Sequence, residues 1–259
     1  MDFLEIEVGE DGVCVVRLNR PHALNTLDGE LVEGLRSVFC DLADRADVRA
    51  IVLTGAGERA FCVGADLKER AGMSEAEVSR RIADYARSFR AIERCPKPVV
   101  CAINGYAFGG GLELALTADL RVCGEDTKIG LTEATLGIIP GAGGTQRLPR
   151  LIGTSRAKEL IFTGARITGA RAAEIGLVDH AVPAAEVLST ALDLARRTLK
   201  CAPIALAQAK AAIDAGMQTD LETGLRLESA CYAVTIPTED RLEGLAAFRE
   251  KRPPEFKGR

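Results

Sequence analysis

The sequence predicts a layered α/β body followed by a smaller helical unit. Three observations carry that reading. Short β-rich runs alternate with amphipathic helical patterns, glycine-rich turns separate them, and strand signal fades beyond about residue 183. Val13-Cys14-Val15-Val16-Arg17-Leu18 reads as a strand, and Leu31, Leu35, Val38, Phe39 and Leu42 then recur at helical spacing behind the cap candidate Asp28. Ala50 to Thr54 is the next strand, ended by Gly55-Ala56-Gly57. Val78, Ile82, Tyr85, Phe89 and Ile92 mark one face of a helix closed by Pro96 and Pro98, and a buried strand, Val99 to Ile103, follows. A helix running from the next glycine run through Ala118, a strand over 120–122 and a loop carrying Glu133 complete the α/β pattern. From Ala184 onward, 187–199, 204–215, 221–234 and 241–249 read as successive helices separated by Ala202-Pro203, Gly216 and Ile236-Pro237. The chain divides into a body, 1–195, and a helical region, 196–259, whose apolar faces predict contact with another subunit.

Composition narrows the classes. With 259 residues, 47% of them hydrophobic and 27% charged, the chain can bury a full core, and disordered and fibrous classes drop out. No apolar stretch reaches about 18 residues, and the acidic start Met1-Asp2-Phe3-Leu4-Glu5 differs from a signal peptide. The expectation is a soluble, cytoplasmic protein without membrane partners. The eight cysteines (14, 40, 62, 95, 101, 123, 201, 231) form no C-x-x-C pair and are expected as small core residues. A net charge of −4 gives no footprint for nucleic acid, and the basic end from Arg249 to Arg259 reads as solvated.

The chemistry concentrates in Asn104-Gly105-Tyr106-Ala107-Phe108-Gly109-Gly110-Gly111-Leu112-Glu113-Leu114, with a second carboxylate, Glu133, twenty residues beyond Glu113. A helix opening at Gly110 points bare amides at whatever lies in front of it, and Glu113 shares a face with Gly110. Equally, the glycines could serve close packing and Glu113 could be a first-turn residue favoured by the dipole. Phe61-Cys62-Val63-Gly64-Ala65-Asp66-Leu67-Lys68 is the candidate for a second amide donor, with Lys68 able to meet a phosphate; alone it would be an ordinary turn with a capping Asp. Gly137 to Pro149 turns into a helix but lacks the Lys-Ser/Thr ending of a P-loop, and is read as a structural loop shaping the site wall. Gly55-Ala56-Gly57-Glu58-Arg59-Ala60 matches a dinucleotide fingerprint, yet no helix pattern follows it. His22 and His180, the only histidines, stand apart without companion ligands, and no G-x-S-x-G elbow occurs. Carboxylate chemistry without a metal remains.

Together, Phe61 to Lys68, Asn104 to Leu114, and Thr132-Glu133 followed by Gly137-Ile138-Ile139-Pro140-Gly141 resemble the enoyl-CoA hydratase (crotonase) superfamily. Leu18-Asn19-Arg20-Pro21 and Ala247 to Pro254 extend the likeness over almost the whole chain. The resemblance implies a spiral of β-β-α repeats with a C-terminal helical trimerisation region, assembled as a trimer or a hexamer of two trimers. It implies Glu113 and Glu133 as catalytic carboxylates and the amides of Ala65 and Gly110 as an oxyanion hole. Ala23, Ala65, Asp66, Leu67, Lys68, Gly109 and Gly110 would line the acyl-CoA site, with Phe248 and Lys251 reaching a neighbouring subunit's ligand. His22 stands where many relatives carry a basic residue. The implied reaction is syn addition of water to a 2-enoyl-CoA, with no cofactor beyond the coenzyme A of the substrate, in β-oxidation of fatty acids, leucine breakdown or secondary metabolism. Enoyl isomerases of the superfamily typically lack the Glu113 carboxylate, so the pair resembles a hydratase.

Asp66 to Arg70, Ile138-Ile139-Pro140, Ala157 to Phe162 and Ala230 to Thr238 look especially similar to methylglutaconyl-CoA hydratases. One of those binds AU-rich RNA through a lysine-rich first helix; here the segment 28–50 is net −3, so nucleic acid is not expected as a partner. A non-catalytic acyl-CoA or RNA binding module is the alternative from another class.

Overall fold

The computed structural model describes residues 3–259; Met1 and Asp2 of the acidic start lie outside them. Two strands open the chain, β1 (Leu4–Val8) and β2 (Val13–Leu18), followed by α1 (Gly29–Asp44). The Asp28 side chain accepts from the Leu31 amide and caps α1, while Leu31, Leu35, Val38, Phe39 and Leu42 bury one face of it, as the spacing predicts. Next come β3 (Ala50–Gly55), β4 (Ala60–Cys62), the short α2 (Leu67–Arg70) and α3 (Glu75–Glu93). A full capping box, Ser74 with Glu77, starts α3, whose Tyr85, Phe89 and Ile92 are buried; α3 packs on α1.

Two further turns of the spiral deliver β5 (Val99–Ile103), β6 (Tyr106–Phe108) and α4 (Gly110–Ala115), then β7 (Leu120–Gly124) and β8 (Lys128–Gly130). After them run α5 (Gly144–Ile152), α6 (Thr154–Thr163), β9 (Ile167–Thr168), α7 (Gly169–Glu174) and β10 (His180–Val182). Each turn gives one strand to each of two sheets, one ordered β1-β2-β3-β5-β7-β10 and the other β4-β6-β8-β9. From β2 to β10 the first sheet is parallel, with β1 antiparallel at its edge. The fold is the α/β spiral that the family resemblance implies.

Both faces of the first sheet are covered, which is why its strands read as unbroken apolar runs. Cys14, Ile51, Leu53, Cys101 and Ile103 face the main core with Phe39 and Phe89, while Ala50, Val52, Val100, Ala102 and Val122 face Val187, Ala191 and Ala195 of α8 (Val187–Thr198). The first of the four terminal helices is therefore a layer of the body, not part of an appendage. The remaining three, α9 (Pro203–Gly216), α10 (Leu221–Thr235) and α11 (Glu239–Glu250), have few buried residues. The helix expected to reach Ala118 ends at Ala115, so its influence on a ligand comes from individual first-turn amides rather than a long dipole. Five cysteines are buried, but Cys40 and Cys201 are exposed and Cys231 is half-buried, against the expectation for all eight: these three lie on helix faces or ends turned from the core. Among the described residues no helix is long and apolar enough to cross a membrane, and no cluster of three potential metal ligands occurs.

Candidate active site

The site forms where β4, α4 and the two glycine-rich loops converge. Gly109 begins it: its φ of +53° turns the chain from β6 into α4, and its amide donates to the Gly130 carbonyl at 2.9 Å. A Cβ on Gly111 would overlap the Cys62 carbonyl, so α4 seats directly on β4. That seating brings the loop after β4 against the first turn of α4. Ideal Cβ positions built on Gly110 lie 3.5 Å from the Gly64 Cα and 3.7 Å from the Ala65 nitrogen. The flanking backbone is used up: Leu27 donates to the Gly64 carbonyl at 2.8 Å and Asp66 donates to the Leu27 carbonyl at 3.2 Å. The amides of Ala65 and Gly110 themselves have no hydrogen-bond partner among the described residues. Two neighbouring donors are thus left free for a ligand oxygen.

Glu113, only 3% exposed, hangs from the first turn of α4 and is fastened by one oxygen. Its Oε1 accepts from the Ala142 amide at 2.8 Å and the Gly144 amide at 2.7 Å. Burial pushes its carboxyl above the usual range, and those two amides, with Arg147, pull partly back. The glycine-rich loop 137–149 therefore holds a carboxylate, a more specific task than shaping a wall.

Glu133 opens a 3-10 turn, Glu133–Leu136, after β8. The residue is half-buried, yet both carboxylate oxygens are sealed from solvent and neither has a hydrogen-bond partner among the described residues. Its carboxylate lies against Gly109, where a Cβ would come within 3.3 Å of Oε1. Burial, reinforced by the charge of Glu113, raises its carboxyl to about 7; its own amide only partly offsets this. Glu133 against Gly109, the free amide of Gly110 and Glu113 from the same first turn of α4 therefore belong to one end of that helix, with the Ala65 amide beside it.

The remaining predicted residues fall into three groups. Asp66 is committed to structure: it caps α2 through the Lys68 and Glu69 amides and accepts from the Thr26 hydroxyl and Arg20. Leu67 and Lys68 are exposed beside Ala65, and Ala23 ends the 3-10 turn Pro21–Ala23 that also carries exposed His22. Phe248, 84% exposed, and Lys251 lie at the end of α11, which packs extensively on no other element among the described residues; one chain does not bring them to the glutamates.

Sequence reasoning missed two supports. Buried Asn25, left-handed at φ +55°, donates to the carbonyls of Ala56 and Ala60 and accepts from the Arg20 amide, fixing the loop that presents Leu27 to Ala65. Arg147 is the other. Asn104 explains the dinucleotide-like glycines: it donates to the carbonyls of Gly55 and Gly57 and accepts from the Gly55 amide, and β4 follows where a helix would be required.

A spiral of paired strands with a carboxylate pair beside two free amides defines the class, a crotonase-fold enzyme. The enoyl-CoA hydratase/isomerase family model matches residues 8–259, and the chain belongs to that family. It is 47% identical over 257 residues to the mitochondrial methylglutaconyl-CoA hydratase of Homo sapiens, covering 98% of this chain and 76% of that one. It is also 47% identical over 252 residues to the mitochondrial enoyl-CoA hydratase domain-containing protein 2 of Mus musculus, covering 96% and 85%. The crystal structure of an enoyl-CoA hydratase from Bacillus anthracis superposes with a TM-score of 0.97 at 48% identity, covering 99% of this chain and 100% of that one.

Proposed function

We propose that this protein hydrates a 2-enoyl-CoA to a 3-hydroxyacyl-CoA. The observation that carries the reading is the Glu133 carboxyl, buried without a partner among the described residues against Gly109, the residue before the free Gly110 amide, and within electrostatic reach of Glu113. A structural carboxylate would be hydrogen-bonded, because burying even a neutral polar group unpaired costs roughly 2–7 kcal/mol and an ionised carboxylate far more. In the proposed reaction one water lies between the glutamates. Glu113 takes a proton from it as its oxygen bonds to Cβ, the π electrons move toward the thioester, and Glu133 gives its proton to Cα. Glu113 thus gains the proton that Glu133 loses, and exchange through the next water resets the pair. Charge arriving on the thioester oxygen meets the two amides, each worth about 3 kcal/mol by comparison with known oxyanion donors. A Glu133 carboxyl near 7 holds its proton in a fair fraction of molecules at neutral pH, as the acid role requires.

The same reading places coenzyme A along Ala23 and Ala65 to Lys68, needs no separate cofactor or metal, and puts the protein in the cytoplasm. It also includes a homotrimer or hexamer, supported by exposed Ile213 on α9, Met217 just beyond its end, and Leu221, Leu225 and Tyr232 on α10. Phe248 and Lys251 would then serve a neighbour's ligand. A 3-methyl-branched substrate of the methylglutaconyl type is favoured by the likeness to the human enzyme of that name. Purified protein incubated with crotonyl-CoA, longer enoyl-CoAs and a branched one should consume them with loss of the conjugated thioester absorbance. No turnover with any chain length or branching would overturn the reading.

A further inference from the structure

Arg147 is absent from the chemistry above, yet it lies directly behind it. Ala142 is held on both sides: its amide, in the peptide shared with Gly141, donates to Glu113 Oε1 at 2.8 Å, and its carbonyl, in the peptide shared with Gly143, accepts from Arg147 Nη1 at 2.9 Å. The next residue, Gly143, is left-handed at φ +109°, and any Cβ there would collide with that guanidinium, so Arg147 sits immediately under the turn. The Nε/Nη2 edge of the guanidinium forks onto Glu93, Nε to Oε1 and Nη2 to Oε2, both at 2.9 Å. Glu93 stands in the last turn of α3, whose Tyr85, Phe89 and Ile92 root it in the core. A continuous chain of contacts therefore runs from the core through Glu93 and Arg147 to the two amides that hold Glu113.

We propose that Arg147 is a positioning residue: it locks the Ala142–Gly144 turn from behind so that both amides stay aimed at Glu113 Oε1. Only a planar fork meets all three acceptors at once; a lysine ammonium in its place reaches one or two with looser geometry. A turn rich in glycine would otherwise have wide conformational freedom. The charged groups facing Glu113 are Glu133 from the 3-10 turn and Arg147 from α5, while Glu93 feels Arg147, Arg90 and Lys210. Losing Arg147 removes a cation and loosens two amide donors, and both changes favour the protonated Glu113 carboxyl.

The turnover part of the test rests on the hydratase reading; the titration part does not. In unliganded protein labelled with 13C at glutamate carboxyls, with Glu113→Gln identifying the resonance, Arg147→Gln should move the Glu113 titration up by about one pH unit. Glu93→Gln, which keeps the arginine, should move it less in the same direction. In turnover, Arg147→Gln should lower kcat about tenfold or more with KM changed less than about threefold. Arg147→Lys should not restore kcat. An unshifted Glu113 titration in both Arg147→Gln and Glu93→Gln would overturn the proposal, as would full kcat in Arg147→Lys, which would reduce the role to charge alone. Should Arg147→Gln fail to fold, Glu93→Gln decides by the same titration. A parent protein without turnover would refute the hydratase reading while leaving the titration to decide the role of Arg147.

Discussion

Glu133 holds its carboxyl where ionisation is unfavourable, sealed from water, unpartnered among the described residues and under the negative charge of Glu113. The cost shows in stability. The ordinary value of the group is 4.5 and the folded one about 7, so the folded state binds the proton more tightly than the unfolded state. Its contribution is fully present below 4.5 and is lost as pH rises through about 7. Glu133→Gln removes the charge and keeps the shape. We expect that variant to melt at a higher temperature than the parent at pH 8, by a few degrees, with the gain shrinking toward pH 5. Calorimetry at the two pH values checks this, and an equal or lower melting temperature at pH 8 would show that the carboxylate is well solvated. Glu113 differs because Ala142 and Gly144 give one of its oxygens two donors. Two like side chains are thus held in unlike settings, a condition for dividing acid and base work.

Among the elements, the seating of α4 on β4 decides whether the amides of Ala65 and Gly110 stay neighbours. Gly111→Ala would drive a methyl group into the Cys62 carbonyl and lift the helix away. Overpacking of this kind costs about 1–3 kcal/mol, so denaturant titration should show a lowered midpoint, and turnover should fall further than stability alone explains. Unchanged stability and turnover would mean that α4 has slack the packing does not suggest. Long elements such as α1, α3, β3 and β5 were legible in the sequence because each carries its own periodicity or apolar run. The three-residue strands β4, β6 and β8 were not, since their pairing partners, rather than local pattern, make them strands. Glu113, Glu133 and the glycine run were visible as residue types at a spacing. The hold of Ala142 and Gly144 on Glu113, the Asn25 support and the Arg147 lock were invisible, because each joins segments far apart in the chain.

For the whole molecule, the exposed apolar residues of α9 to α11 predict assembly. Sedimentation of the purified protein should give the mass of three or six chains, and substituting charged residues at Ile213 and Leu225 should dissociate it. A monomer at micromolar concentration would contradict that. If the assembly supplies Phe248 and Lys251 to a neighbour, dissociation should also weaken acyl-CoA binding. In the proposed hydration, Glu133 carries a proton toward an acyl chain whose thioester oxygen rests on Ala65 and Gly110. The most direct measurement is paired kinetics and ligand binding of Glu133→Gln against the parent. Hydration should fall by about three orders of magnitude or more, with product affinity within about threefold of the parent. Hydration retained in Glu133→Gln would contradict that role of Glu133.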